Sequence, residues 1–216
     1  MNRKEIKELA KSKIQNNKWN IIWPMLVITF VLSALSQFFG GTVNFNFNDI
    51  SSFAEFNLSS KTYGASAILS VLSGIVVAGY LKYVLNFVRT GKFDTNEIIE
   101  TIKKKWVNIL VAIILTYVII TLCCCLLVIP GIIMALAYTF VILLVVDTDV
   151  NGNDALKKSR EMMNGYKWNY FVFQLSFLGW ILLIPFTLGL ILIWLYPYMT
   201  VANVIYYEKL KEIQKK

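Results

Sequence analysis

Six apolar stretches run along the chain, separated by polar and charged segments and by two short breaks, 128–130 and 187–189. A helix satisfies its own backbone hydrogen bonds in lipid, and about 20 apolar residues are enough to cross the hydrocarbon core. The pattern therefore predicts an all-α fold: a polytopic transmembrane helical bundle in a single integral membrane domain, residues 1–216. The predicted spans are 20–39, 65–88, 107–127, 131–146, 168–186 and 190–207.

The polar segments differ sharply in their content of basic residues. All but two of the 21 Lys and Arg residues lie in four of these segments, the exceptions being Lys61 and Lys82. Because basic loops are retained on the cytoplasmic side, we expect both termini in the cytoplasm and residues 40–63 as an external loop. The four basic segments are 1–18, 89–105, 147–167 and 208–216.

The first basic segment has helical periodicity. Ile6, Leu9, Ala10 and Ile14 recur at the spacing of one helix face, and charged residues occupy most of the other positions. We expect a short amphipathic helix that lies at the membrane surface.

Two tryptophans follow this segment at the start of the first span. Trp19 and Trp23 are typical of the boundary between water and hydrocarbon. Pro24 comes directly after them, near the beginning of the predicted helix, where a missing amide donor costs little.

Pro130 and Gly131 interrupt an apolar tract that runs from Val107 to Val146. The tract is long enough for two spans of roughly 20 residues each. Proline lacks an amide donor and glycine adopts turn geometry easily, so we expect the chain to reverse at Ile129 to Gly131. The tract is predicted to be a helical hairpin.

A short amphipathic helix is predicted between the fourth and fifth spans. Asn153 or Asp154 can cap its start, and Gly165 is a plausible end signal. The helix is either a connector on the bilayer surface or a docking element for a cytoplasmic partner. Its apolar face holds Ala155, Leu156, Ser159, Met162 and Met163, and its charged face holds Lys157, Lys158, Arg160 and Glu161.

Several short motifs from residue 129 onward resemble a bacterial membrane family, found mostly in Gram-positive organisms, that is catalogued as "domain of unknown function 975". The resemblance implies a polytopic helical protein of the cytoplasmic membrane and carries over no activity and no catalytic residues. The motifs are Ile129-Pro130-Gly131-Ile132, Lys158-Ser159-Arg160, Met163-Asn164-Gly165, Ser176-Phe177-Leu178-Gly179-Trp180, Tyr196-Pro197-Tyr198 and Ile205-Tyr206-Tyr207.

The second span carries small residues at helical spacing: Ser66, Ser70, Gly74, Ala78 and Gly79. Such a stripe allows two helix backbones to approach closely, so these positions are predicted to form a helix-packing face. Lys82 continues the stripe near the cytoplasmic end. Its ammonium group either reaches the lipid headgroups or belongs to a functional site.

Composition narrows the classes of function. The chain is 57 % hydrophobic, and its net charge of +8 comes from segments between apolar runs. We therefore expect membrane lipids, together with a membrane or cytoplasmic protein, as partners, and no nucleic acid; the sequence leaves the oligomeric state open. There is no His, so the commonest general base and metal ligand is missing.

The cysteines and the acidic turn give no convincing metal site. Cys123, Cys124 and Cys125 are consecutive, so on a helix they point in different directions. The loop from Asp147 to Asp154 begins like a calcium-binding EF-hand loop, but Lys158 stands where the twelfth-position Glu is required. We expect no metal and no cofactor, and the roles of the three cysteines and of this loop stay open.

These observations favour a non-enzymatic membrane protein. The prediction is a partner-binding component of a transport complex, or a protective or regulatory membrane protein, with Lys82, Lys157, Lys158 and Arg160 as candidate partner or headgroup contacts. The alternative is a small transporter or channel for a lipid, peptide or other solute. An intramembrane enzyme has the least support, because no catalytic constellation is present.

Overall fold

The computed structural model describes residues 3–16, 18–38, 60–126, 128–184, 186–187 and 189–214; side chains are not described at 16, 32–38, 60–70, 125–126 and 128–129. Within these residues the chain is all-helical. The helices are α1 (Arg3–Asn16), α2 (Lys18–Phe38), α3 (Ser60–Thr90), α4 (Asn96–Leu126), α5 (Val128–Ala137), α6 (Val141–Asp147), α7 (Gly152–Met162), α8 (Lys167–Leu175), α9 (Leu178–Ile181) and α10 (Leu192–Gln214). The predicted external loop, 40–63, lies almost entirely outside the described residues.

Three described stretches are helical, long and apolar enough to cross a membrane. They are Val71–Thr90, Asn96–Cys124 and Pro130–Asp147. They overlap the second, third and fourth predicted spans. The third stretch is not one straight helix, because α5 ends at Ala137 and α6 begins at Val141.

The other three predicted spans take different forms among the described residues. α2 is 21 residues long, and the part of it whose side chains are described, Lys18–Val31, is apolar. Residues 168–186 divide into α8, α9 and a series of turns. Residues 190–207 lie mostly in α10, a continuous helix of 23 residues that contains Pro197. Tyr, Pro and Asn residues make α10 less apolar than the three membrane-length stretches.

The last long helix, α10, is the centre of the bundle. Its side chains are buried on every side over most of its length, which is typical of a helix enclosed by protein. α1, α2 and α3 pack directly against it. Aromatic rings of α8, including Tyr170 and Phe173, contact Tyr206 of α10. Its buried residues are Leu195, Pro197, Tyr198, Thr200, Val201, Ala202, Val204, Ile205, Tyr206, Tyr207 and Leu210.

The amphipathic periodicity of the N-terminal segment does produce a helix, α1, but protein covers its apolar face. Ile6, Ala10 and Ile14 are buried in the same core as α10, whereas Leu9 stays exposed. Glu5 forms an ion pair with Lys209 at the far end of the chain. The apolar face is therefore used for packing against α10 and is not left free for lipid.

α4 ends at Leu126 and α5 begins at Val128, slightly earlier than the predicted reversal at Ile129 to Gly131. Pro130 is the third residue of α5, within the first turn, where no amide donor is needed. Gly131 is buried against α4: a Cβ placed there would lie 3.1 Å from the Cα of Cys124 and closer still to its Sγ. The proline starts the second arm, and the glycine lets the two arms meet.

The small residues of α3 that the structure describes face α4. A Cβ on Gly74 would lie 2.7 Å from Cδ1 of Ile113, and one on Gly79 would lie 3.1 Å from the backbone oxygen of Ile98. Ala78 between them is fully buried. The side chains of Ser66 and Ser70, the other members of the predicted face, lie outside the described part of the chain.

Candidate functional site

A buried carboxylate joins the ends of three helices. The Asp147 side chain, at the end of α6, is only 2 % exposed. One of its oxygens accepts a hydrogen bond from Arg89 of α3 at 2.5 Å. The other accepts from Lys211 of α10 at 2.5 Å and from the hydroxyl of Tyr207 at 2.8 Å. We call these four residues the Asp147 cluster.

The Asp147 cluster is satisfied in both charge and hydrogen bonding. Arg89 also donates to Glu208 at 2.6 Å, so the two carboxylates balance the guanidinium and the Lys211 ammonium. A buried charge is tolerated only when it is paired and hydrogen-bonded. The cluster therefore acts as a polar fastening between helices and leaves neither carboxylate oxygen of Asp147 free for a ligand.

The neighbouring carboxylate, Asp149, is fully exposed and pairs with a different cation. Lys105 of α4 lies 2.9 Å from its Oδ1 and also donates to the carbonyl oxygens of Val145 and Thr148. Lys105, and more weakly Lys82, lower the pKa of the Asp149 carboxyl. Lys82, predicted to contact headgroups or a partner, therefore lies near this charged end of the bundle.

The acidic turn does not assemble as a calcium loop. Asp147 and Asp149 are each engaged by lysine or arginine, which repel a cation. Among the residues that the structure describes, no three His, Cys, Asp or Glu side chains are grouped as metal ligands. Cys123 and Cys124 are free thiols, while the side chain of Cys125 is outside the described part.

Lysines also donate hydrogen bonds to backbone carbonyl oxygens at the carboxyl ends of other helices. Lys13 of α1 donates to the Val88 carbonyl of α3 at 2.9 Å. Lys7 donates to the Ser176 carbonyl after α8 at 2.9 Å and lies 4.3 Å from the centre of the Phe177 ring. Partial burial lowers the pKa of the Lys7 ammonium. Cations at helix carboxyl ends are favoured because they interact with the last free carbonyl groups.

The short basic helix, α7, has the two faces that the sequence predicts. Ala155, Leu156, Ser159, Met162 and Met163 are buried, which confirms the predicted apolar face. They pack mainly on α4 and α6, so α7 is part of the bundle and not a loose connector.

The start of α7 is set by a glycine and not by either predicted cap. The helix begins at Gly152, with Asn151 before it, and that residue makes no capping side-chain hydrogen bond. A Cβ on Gly152 would lie 2.8 Å from the amide nitrogen of Ala112. Asn153 and Asp154 lie inside the first turn of α7 and are not its N-cap, and Gly152 lets the start of the helix approach α4 closely.

Three of the four predicted contact residues lie on the exposed face of α7. Lys157, Lys158, Arg160 and Glu161 all face outward. None of the three basic side chains forms an ion pair with another described residue. The helix therefore holds these three basic side chains on the exposed surface of the bundle.

A partly buried polar network links α8 to α10. Nε2 of the Gln174 side chain donates to the Tyr170 hydroxyl at 2.5 Å and to Oδ1 of the Asn203 side chain at 3.3 Å. Tyr170 in turn donates to Asn203 at 3.2 Å. Sequence reasoning singled out Gln174 as a polar contact but gave no signal for Asn203, which lies within the sixth predicted span.

The comparison with protein families gives a clear result for the C-terminal part of the chain. Residues 118–214 match the family model described as "Protein of unknown function (DUF975)". This segment, which is less than half of the 216-residue chain, is similar to the DUF975 family. The match confirms the family resemblance read from the sequence. No curated protein and no solved structure matches the chain.

The DUF975 match covers the central parts of the site but not all of it. It includes the end of α4 and everything from α5 to α10, and therefore Asp147, Lys211 and the basic face of α7. Arg89 and Lys105, which pair with the acidic turn, lie before it. α3 and α4 thus supply basic partners for Asp147 and Asp149, two acidic residues of the matched segment.

The sequence contained one signal for the Asp147 cluster. Asp147 ends an apolar stretch, and Arg89 and Lys211 begin charged segments predicted on the same side. Three helix ends on one side can bring such charges together. Nothing in the spacing, however, indicates that these three residues and not others meet.

Proposed function

We propose that this chain is a multi-pass protein of the bacterial cytoplasmic membrane, with six spans and both termini in the cytoplasm. It is non-enzymatic and binds a protein partner, as a component of a transport complex or as a protective or regulatory membrane protein. The observation that carries this proposal is the basic face of α7, held outward by a helix whose opposite face is buried in the bundle.

The packing of α7 favours docking over simple attachment to lipid. A helix that only rests on a bilayer turns its apolar face toward the acyl chains. In α7 that face is already covered by α4 and α6. The exposed Lys157, Lys158 and Arg160 are therefore available to an acidic partner surface, at positions fixed by the bundle.

The clustering of charges at one end of the helices supports the proposed orientation. Arg89, Lys105 and Lys211 gather around the turn that begins at Asp147. Segments with such residues are retained in the cytoplasm by the positive-inside rule.

Cysteine accessibility tests the orientation. In a chain with Cys123, Cys124 and Cys125 replaced by Ala, we expect Cys at Ser52 to react with an impermeant maleimide in intact cells. Cys at Thr95 or Lys158 should react only after permeabilisation. Labelling of position 158 from outside would contradict the six-span orientation.

Site-specific crosslinking tests the docking face. A photo-reactive residue at Lys158 should give a discrete crosslinked protein in cells, and the same residue at exposed Gln15 of α1 serves as the control. Arg160→Lys keeps the charge but loses the planar guanidinium that binds a carboxylate through two parallel bonds. We expect it to reduce the crosslink several-fold, whereas Lys157→Gln has little effect. An unchanged crosslink in Arg160→Lys would indicate that α7 is an electrostatic connector and not a docking element.

A small transporter is the second candidate, favoured by the network of Tyr170, Gln174 and Asn203 inside the bundle. Buried polar groups beside interrupted helices are typical of transport sites. Proteoliposomes with a fluorescent phosphatidylglycerol test the lipid case. Transbilayer movement that Gln174→Leu abolishes and Arg160→Lys preserves would favour transport over docking.

A further inference from the structure

An aromatic pocket lies where α2 begins, beside the connection between α3 and α4. Its volume is about 340 Å³, at the lower end of the range for small-molecule sites, roughly 300–1,000 Å³. The pocket is lined by Trp19, Asn20, Trp23, Pro24, Tyr83, Phe93 and Thr95. Most of this lining is apolar, and none of these residues belongs to the Asp147 cluster or to α7.

The amino end of α2 is hydrogen-bonded to α3 at this pocket. Pro24 has no amide hydrogen, so the Asn20 carbonyl one turn earlier lacks its helical donor. The hydroxyl of Tyr83 supplies the missing hydrogen bond at 2.7 Å, and Tyr80 donates to the next carbonyl, that of Ile21, at 3.2 Å. The α2 end of the pocket is thus fixed to α3 by two tyrosines.

The floor and the walls of the pocket are aromatic. Phe93 stacks on Phe87 at 4.5 Å and contacts Tyr83 at 5.9 Å between ring centres. Trp19 and Trp23, one helical turn apart, are 74 % and 62 % exposed. Two wide indole rings therefore remain uncovered beside a fixed apolar floor.

Two lysines flank the pocket. Lys18 precedes Trp19, and Lys92 precedes Phe93, so each backbone is about 3.8 Å from a lining residue. Both side chains are exposed, and neither forms an ion pair with any other described residue. Asp94, between the lining residues Phe93 and Thr95, is exposed as well. The pocket is thus apolar inside, and the three charges that adjoin its lining sum to +1.

We propose that this pocket binds an anionic phospholipid, with the glycerol and upper acyl chain between Trp19 and Trp23 and the phosphate near Lys18 and Lys92. The inference rests on the proposed membrane location of the chain. Tryptophan favours the depth of the glycerol backbone in a bilayer. Lysines near that depth attract anionic headgroups.

The charges at the rim decide between two ligand chemistries. Aromatic boxes can bind quaternary ammonium groups such as choline. Lys18 and Lys92 outnumber Asp94, so the net positive charge at the rim disfavours such a cation and attracts a phosphate that carries net negative charge. The pocket should therefore prefer phosphatidylglycerol over phosphatidylcholine, which is neutral overall.

Quenching of tryptophan fluorescence tests this preference. The full-length chain is reconstituted in phosphatidylcholine vesicles that contain an equal, low fraction of either phosphatidylglycerol or phosphatidylcholine brominated near the glycerol. We expect stronger quenching by the brominated phosphatidylglycerol. The difference should disappear in Trp19→Phe/Trp23→Phe, because the four remaining tryptophans lie outside the pocket.

Matched variants separate the pocket from general surface charge. Each lysine near an anionic headgroup contributes about fivefold, so Lys18→Gln/Lys92→Gln should reduce the preference by up to roughly 30-fold. Lys11→Gln/Lys103→Gln removes the same charge from exposed sites elsewhere and should retain the preference. Thr95→Phe keeps both rim lysines but fills the pocket, and it should abolish the preference.

The outcomes also distinguish the lipid site from the membrane location. Three results would overturn the lipid site for a chain that still floats with vesicles. They are equal quenching by both lipids, an equal loss of preference in the two double-lysine variants, and a preference that Thr95→Phe retains. A chain that does not float with vesicles would overturn both the lipid site and the proposed membrane location.

Discussion

The hydroxyl of Ser159 on α7 donates a buried hydrogen bond of 2.8 Å to the carbonyl oxygen of Ala137. Ala137 is the last residue of α5, and the chain then turns through three residues before α6. The amide of Val141, which would bond to Ala137 in a continuous helix, bonds to the Tyr138 carbonyl instead. Ser159 therefore supplies a donor at the point where the helix is interrupted.

Removing this donor should destabilise the fold. Ser159→Ala leaves the Ala137 carbonyl buried without its side-chain partner, which costs about 1–3 kcal/mol of unfolding free energy. Ser12→Ala removes an exposed hydroxyl that bonds to the Leu9 carbonyl and should cost only a few tenths of that. Unfolding in mild detergent measures both. Equal effects would mean that the Ser159 bond contributes nothing specific.

Tyr83 has a similar role at Pro24. Tyr83→Phe keeps the ring but leaves the Asn20 carbonyl without the hydroxyl that replaces its helical donor, so we expect a loss of about 1–2 kcal/mol. Tyr117→Phe is the matched control, because Tyr117 is 66 % exposed. Detergent unfolding of the two variants should differ clearly. A stable Tyr83→Phe variant would show that water satisfies the carbonyl equally well.

Of the changes to single charges around the Asp147 cluster, loss of the Asp147 charge should lower the free energy of unfolding most. Asp147→Asn removes the negative partner of Arg89 and Lys211, whose side chains are 31 % and 28 % exposed. Breaking a fully buried pair costs about 3–5 kcal/mol, and partial exposure reduces the expected loss to about 2–3 kcal/mol.

Asp149→Asn provides the comparison for that change, because Asp149 also pairs with a lysine but is fully exposed. We expect an unfolding midpoint close to that of the unaltered chain. If both variants unfold alike, the Asp147 cluster is not a fastening between helices.

A comparison of two glycines tests whether Gly131 is required for the close packing of α4 and α5. Gly131→Ala places a methyl group against the backbone of Cys124 and should destabilise the α4–α5 hairpin by about 1–3 kcal/mol. At Gly179 the same change meets no neighbouring atom within 4 Å. We therefore expect Gly179→Ala to be neutral or slightly stabilising in detergent unfolding, and a comparable loss there would contradict the packing explanation for Gly131.

The pattern of apolar and charged residues was sufficient to predict several local features. It indicated an all-helical chain, a hairpin near Pro130 and Gly131, and the buried face of α7. These features depend on contacts between residues close in sequence: turn geometry at proline and glycine, and the helical repeat that places every third or fourth residue on one face.

The partners of each face were decided only by the tertiary structure. The periodicity of Ile6, Ala10 and Ile14 is the same whether lipid or protein covers them, and only the fold places α10 there. The sequence pattern did not indicate the central position of α10 either, because the tyrosines of this helix suit a membrane boundary as well as a core.

The charged end of the bundle follows the same rule. Arg89, Asp147 and Lys211 are each ordinary charges at the ends of apolar stretches, and the sequence predicted only that they lie outside the spans. That they pair depends on how α3, α6 and α10 pack, because an ion pair requires approach within about 4 Å and hydropathy carries no information on distances between helices.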